Sequence, residues 1–189
     1  MRIWILVPDD LRALRDEGLA LLPQLSNSGH LALHWGMSLA AYPLLWDTAT
    51  VVGRLLDLQE EVTAAQIRRR LTESYVERST LLRVVSRVTG SFVDWGVLRE
   101  TGREGVLVAG PAYPIEDERL AAWLIEASLL GSESISSVLP AFTTNPALFP
   151  FEIGRLNTRS LEASPRLELY RQGLDEDLVT LRLAKSGQI

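Results

Sequence analysis

Residues 61–110 read EVTAAQIRRRLTESYVERSTLLRVVSRVTGSFVDWGVLRETGREGVLVAG, and the fold turns on this stretch. Glu61-Val62-Thr63 is a short extended step. Thr63-Ala64-Ala65-Gln66 is a capping box, in which the Thr63 hydroxyl satisfies a first-turn N–H and Gln66 reaches back. It opens a helix over 64–74. A tight turn over Tyr75 to Arg78 leads to Ser79, a second cap, and to a helix over 80–95 whose spacing buries Leu81, Leu82, Val85, Val88, Phe92 and Val93. Gly96 stops that helix in the left-handed conformation glycine favours. Val97–Glu100 and Val106–Ala109 read as two strands around a Gly102/Gly105 turn, and Gly110-Pro111 closes the unit. Gly90, inside the long helix, costs about 1 kcal/mol against alanine. Spacing alone leaves open whether it permits close packing or marks a bend.

Upstream, residues 30–58 are strongly apolar at helical spacing, and Pro43 divides them into helices over 30–41 and 43–58. Residues 2–7 alternate as a short strand. Asp9 or Asp10 caps a helix to about Leu22, and Asn27-Ser28-Gly29 reads as a loop. Downstream, Glu116-Asp117-Glu118 begins a helix to about Leu130, Ser134–Leu139 reads as a short helix, and the proline-bearing residues 140–165 read as irregular. Arg166–Arg171 and Asp177–Leu183 pair as a terminal hairpin around Gly173.

The order helix, short strand, helix, tight turn, helix and two-stranded wing resembles the winged helix-turn-helix superfamily. The phrases EVTAAQIRRRL, RSTLLRVVSRV and DWGVLRETGREGVLVAG carry the resemblance, which covers about a third of the chain and names no subfamily. It implies a mainly α protein: a winged helix-turn-helix over 43–110, with extra N- and C-terminal helices and a small β-hairpin. The flanks are an N-terminal helical region, 1–42, and a C-terminal helical region, 111–189. Winged helices hold double-stranded DNA and also dock proteins, so the resemblance alone leaves both open.

Charge placement favours DNA. Between Val62 and Arg103 eight arginines face four acids, a balance of +4; the rest of the chain has 11 basic and 20 acidic residues, a balance of -9. The expected recognition helix turns Ser79, Thr80, Arg83, Arg87 and Ser91 outward, opposite its buried stripe. Small polar residues at its start suit a phosphate, and arginines one turn apart suit base edges or phosphates in the major groove. Arg68, Arg69 and Arg78 add cations nearby, and Arg103 at the wing tip suits the minor groove or the backbone. Each has a plainer reading: an arginine run on a helix is a solvated face, and a wing tip is polar in any case. All but one of the 19 basic residues are arginine, a bias that codon usage in a GC-rich genome explains as well as function does.

Other chemistry finds little support. The absence of cysteine removes disulfides, thiolate metal sites and cysteine nucleophiles. His30 and His34 stand one helical turn apart without a third ligand, and read as capped or packed side chains. The acidic clusters 116–118 and 175–177 read as helix starts or surface turns. No phosphate-cradling loop, nucleophile elbow or metal signature is present, so neither an enzyme nor a cofactor is expected. No stretch reaches the roughly 20 apolar residues of a membrane span, and the chain reads as cytoplasmic. The expectation is a prokaryotic DNA binder, either a transcription regulator or an accessory of antiviral defence. Its flanks would supply a homodimer contact (Tyr42 and Trp46 share a helix face) or meet a partner protein.

Overall fold

The computed structural model describes residues 2–75, 79–154, 156, 158–172 and 176–182, with the backbone alone at 79, 172 and 176. The described chain is mainly helical. Three helices lead: α1 (Arg12–Leu21), α2 (Asn27–Ala41) and α3 (Pro43–Leu58). Then come β1 (Glu61–Thr63), α4 (Ala64–Ser74), α5 (Ser79–Asp94), β2 (Leu98–Glu100) and β3 (Val106–Ala109). The C-terminal part comprises β4 (Tyr113–Ile115), α6 (Glu118–Gly131), β5 (Ser136–Val138), α7 (Pro140–Thr143), β6 (Phe151–Ile153), α8 (Thr158–Glu162), β7 (Leu167–Gln172) and β8 (Glu176–Leu181).

Local chemistry sets many of these boundaries. The Gln66 N–H donates to the Thr63 hydroxyl at 3.1 Å while the Thr63 N–H donates to Gln66 Oε1 at 2.8 Å, which satisfies two orphan donors at the start of α4. Asp117 accepts from the N–H groups of Arg119 and Leu120 and so starts α6. Gly96 follows α5 at φ +74°. A Cβ on Gly110 would lie 2.0 Å from the Gly96 carbonyl oxygen, so the chain crosses itself there on two glycines. β3 is the middle strand of an antiparallel sheet in the order β1-β3-β2, with Val62 opposite Leu107 and Arg99 opposite Val108.

Several expectations are corrected. Residues 2–7 form no strand: Arg2–Trp4 make a single 3-10 turn that tucks Ile3 into the core, and a strand needs a paired edge to persist. The helix expected from His30 starts at Asn27, so Asn27-Ser28-Gly29 is its first turn and not a loop. Residues 136–138 are a strand because the terminal hairpin offers β8 as an edge, Ser137 lying opposite Val179. Within 140–165 lie two short helices, a 3-10 turn over 146–148 and β6, which pairs in parallel with β4. The two strands of the terminal hairpin pair as expected, β7 against β8 from Leu167–Leu181 to Gln172–Glu176, while the expected turn at Gly173 and strand end at Leu183 lie outside the described residues.

One core cluster runs from Ile3 to Phe151 and takes residues from the N-terminal helices, the central unit and the C-terminal part. Trp35 of α2 lies at its centre, its indole N–H donating to the Ala147 carbonyl at 2.9 Å and its ring packing on Phe92, Trp95 and Phe149. Trp123 of α6 donates to the Leu14 carbonyl at 2.8 Å. α3 meets the 146–148 turn so closely that a Cβ on Gly53 would lie 2.1 Å from the Pro146 carbonyl oxygen. A smaller cluster joins Ile125 and Leu129 to Phe142, Leu161, Leu167 and Val179 beneath the terminal hairpin. Among the described residues no helix is long and apolar enough to cross a membrane.

Candidate nucleic-acid interface

The candidate surface is made by α4, α5 and the β2–β3 turn. α5 is amphipathic: Leu81, Val85, Thr89 and Phe92 are buried, while Thr80, Arg83, Arg87 and Gly90 are exposed. Buried Thr89 satisfies its hydroxyl on the Val85 carbonyl at 3.0 Å. Leu82, expected inside, is 45% exposed, and Val84 is exposed beside it at 39%. The inward stripe is narrower than apolarity suggested, because α5 packs mainly along one line against α3 and α4.

The expected site residues separate into groups. Arg83 and Arg87 stand one turn apart on the outward face, and neither has an acidic partner among the described residues. Thr80 is exposed one turn before Arg83. Ser91, half-buried, turns its hydroxyl back onto the Arg87 carbonyl at 3.1 Å. On α4 the buried Ile67 and Leu71 face inward, leaving Arg69 exposed and Arg68 half-buried, both without an acidic partner among the described residues. Arg70 reaches Glu73 at 3.4 Å. Arg78 and the side chain of Ser79 lie outside the described residues.

Arg103 is different. Its Nη2 donates to both carboxylate oxygens of Glu61 on β1, with the two side chains 64% and 41% exposed. A separation of 42 positions hides this pair from a local reading; it follows from β1 adding to β3. The pairing also revises the charge count. With Glu60, Glu61 and Glu104 drawn onto the same unit, its eight arginines face seven acids, a balance of +1. Residues 64–94 hold six arginines and three acids, a balance of +3. Glu60, the β1 strand and the β2–β3 hairpin hold Arg99 and Arg103 against Glu60, Glu61, Glu100 and Glu104, a balance of -2. Positive charge therefore belongs to the helices and not to the three-stranded sheet.

No protein family, curated protein or solved structure matches this chain. Its chemistry is thus argued from its own side chains. A second contact missed by sequence reading braces the helical part: the Tyr75 hydroxyl, at the end of α4, donates to Asp47 on α3. Burial first, then the Asp47 hydrogen bond and charge, push the Tyr75 phenol up to about 12.

The two histidines have protein partners. Trp4 Nε1 donates to His34 Nδ1 at 3.2 Å, and the His34 ring meets Trp95 edge-on with centroids 5.1 Å apart. His30 Nε2 lies 3.0 Å from the Leu22 carbonyl. Among the described residues no group of three or more histidine, aspartate or glutamate side chains is placed to hold a metal ion.

Proposed function

We propose that residues 43–110 act as a winged helix-turn-helix that binds double-stranded DNA, with α5 entering the major groove. On this reading the chain is a non-catalytic regulator of transcription or an accessory DNA binder in defence against foreign DNA. One observation carries the proposal: Arg83 and Arg87 project from the exposed face of α5 without an acidic partner among the described residues. Elsewhere arginines such as Arg12, Arg15, Arg119 and Arg182 lie against carboxylates. Guanidinium groups exposed on one helix face suit phosphates or guanine edges. The order β1-β3-β2 beside α4 and α5 supports the winged-helix reading.

A second reading has its own observation. Leu82 and Val84 are exposed on the same helix as the two arginines, and apolar side chains interleaved with arginine also suit a protein partner. The two readings separate in a salt titration. Binding of the full chain to a random duplex, followed by fluorescence anisotropy, should weaken steeply between about 50 and 200 mM salt. Replacing Arg83 and Arg87 together by alanine should lose about 1–3 kcal/mol for each base contact removed, with the circular dichroism spectrum unchanged. A folded wild type that ignores duplex at low salt leaves the docking reading. An unaltered affinity in the double variant removes α5 from the interface.

A further inference from the structure

We infer that Glu61 on β1 is an anionic guard beside the wing, occupying Arg103 in the free protein and on random duplex and yielding it to a phosphate only at sites where α4 and α5 are seated. The inference rests on the DNA reading above and deepens it. Three features carry it.

First, the wing tip is held by hydrogen bonds that do not involve the ion pair. The Arg103 N–H donates to the Thr101 hydroxyl at 3.2 Å, and the Ala64 N–H donates to the Gly105 carbonyl at 3.0 Å. The guanidinium is therefore free to change partner without unfolding the turn. Second, the pair is exposed, and exposed ion pairs contribute only about 0–1 kcal/mol. A phosphate, which accepts the same charge-assisted bonds, competes on nearly equal terms. Third, the strands around it are acidic, with Arg99 and Arg103 set against Glu60, Glu61, Glu100 and Glu104. The Arg99 guanidinium lies 3.4 Å from the Ala109 carbonyl. With Arg103 held by Glu61 the wing offers a phosphate little attraction, and the helices bind first. Once Arg103 swings away, an uncompensated Glu61 carboxylate is left near the backbone. Glu61 thus holds down sequence-independent affinity and spares the wing for sites where the helices are already seated.

The test compares full-length wild type, Glu61→Gln, Arg103→Ala and the double variant on a random duplex across a salt series. Glu61→Gln should bind up to about five-fold tighter, the equivalent of one exposed pair, and its log–log salt slope should steepen by about 1. Arg103→Ala should weaken binding more in the Glu61→Gln background than in the wild type. Glu61→Ala serves as a second variant should the amide disturb β1, and a thermal midpoint close to wild type reports an intact wing. Equal affinity and slope in wild type and Glu61→Gln would overturn the guard while leaving DNA binding in place. An Arg103→Ala loss of the same size in both backgrounds would do so too. If the wild type binds no duplex at low salt, the DNA reading falls and the guard falls with it.

Discussion

Tyr75 and Asp47 show what single residues contribute. The phenol closes α4 onto α3 through one charge-assisted hydrogen bond, of a kind that contributes about 1.5–3 kcal/mol when sheltered and less near solvent. Its folded pKa of about 12 stands above the ordinary value of 10.0. The stabilisation it brings is accordingly complete below the ordinary tyrosine range and is lost as pH rises from there through the folded value. Urea unfolding should therefore show stability falling over this alkaline window, and Tyr75→Phe should flatten that dependence while lowering stability at neutral pH. A phenolate that appears at the ordinary tyrosine pKa in a spectrophotometric titration would count against the bond. Neither this pair nor Glu61–Arg103 was legible in the sequence. Acids and arginines are abundant along the chain, and nothing local says which of them will meet across 28 or 42 residues.

At the scale of elements, α4 and α5 were readable nearly to their ends, because caps and glycine stops are local chemistry. The capping box at Thr63 and the left-handed Gly96 are where the sequence places them. The exposure of Leu82 was not readable, since it depends on how much of α5 its neighbours cover. Gly90 gains an answer here: a Cβ at that position meets nothing within 4 Å, so close packing does not explain it. Gly90→Ala should stabilise the protein by up to about 1 kcal/mol through helix propensity alone, read as a higher urea midpoint at unchanged slope. A lower midpoint would mean that the exposed face of α5 is covered in solution. The strand at 136–138 went unread because its edge partner lies about 40 residues downstream. Pairing, and not propensity, decides so short a segment.

Across the whole molecule, α4, α5 and the β2–β3 hairpin share a core with both flanks, and α2 reaches α5 through Trp35 against Phe92. Arg166 ties the ends together. Its Nε and Nη2 donate to the two oxygens of Glu126 at 2.5 and 2.9 Å, and Nη2 also reaches Glu17 of α1 at 2.5 Å. Burial pushes the Glu126 carboxyl above the ordinary range and Arg166 pulls it back, leaving a net upward shift. Arg166→Met would strand a carboxylate only 2% exposed, with an expected loss of about 3 kcal/mol near neutral pH. Protonation relieves that loss. A carboxyl whose folded pKa is raised supports the fold below its unfolded pKa and withdraws support as pH rises through the folded value. The gap between variant and wild type should therefore be narrow near about pH 4.5 and wide near about pH 7.5 in paired urea titrations. A gap that does not change with pH would place the loss in packing. At this scale the net charge of -5 does not oppose a cationic helix face, because charges more than about 8 Å apart are largely screened at physiological salt.

From the sequence alone came the mainly helical class, the central order of helices and strands, the starts of α4 at Thr63 and of α6 at Asp117, and the positive stretch on α4 and α5, whereas neither Asp9 nor Asp10 caps α1. All of these depend on neighbours within a few turns of chain. Tertiary structure alone decided that β1 would carry Glu61 to Arg103, that the three-stranded sheet with Glu60 would be acidic in sum, and that one core would join all three stretches. Those outcomes depend on strand pairing and side-chain packing between residues far apart in the chain, where no local spacing records the partner.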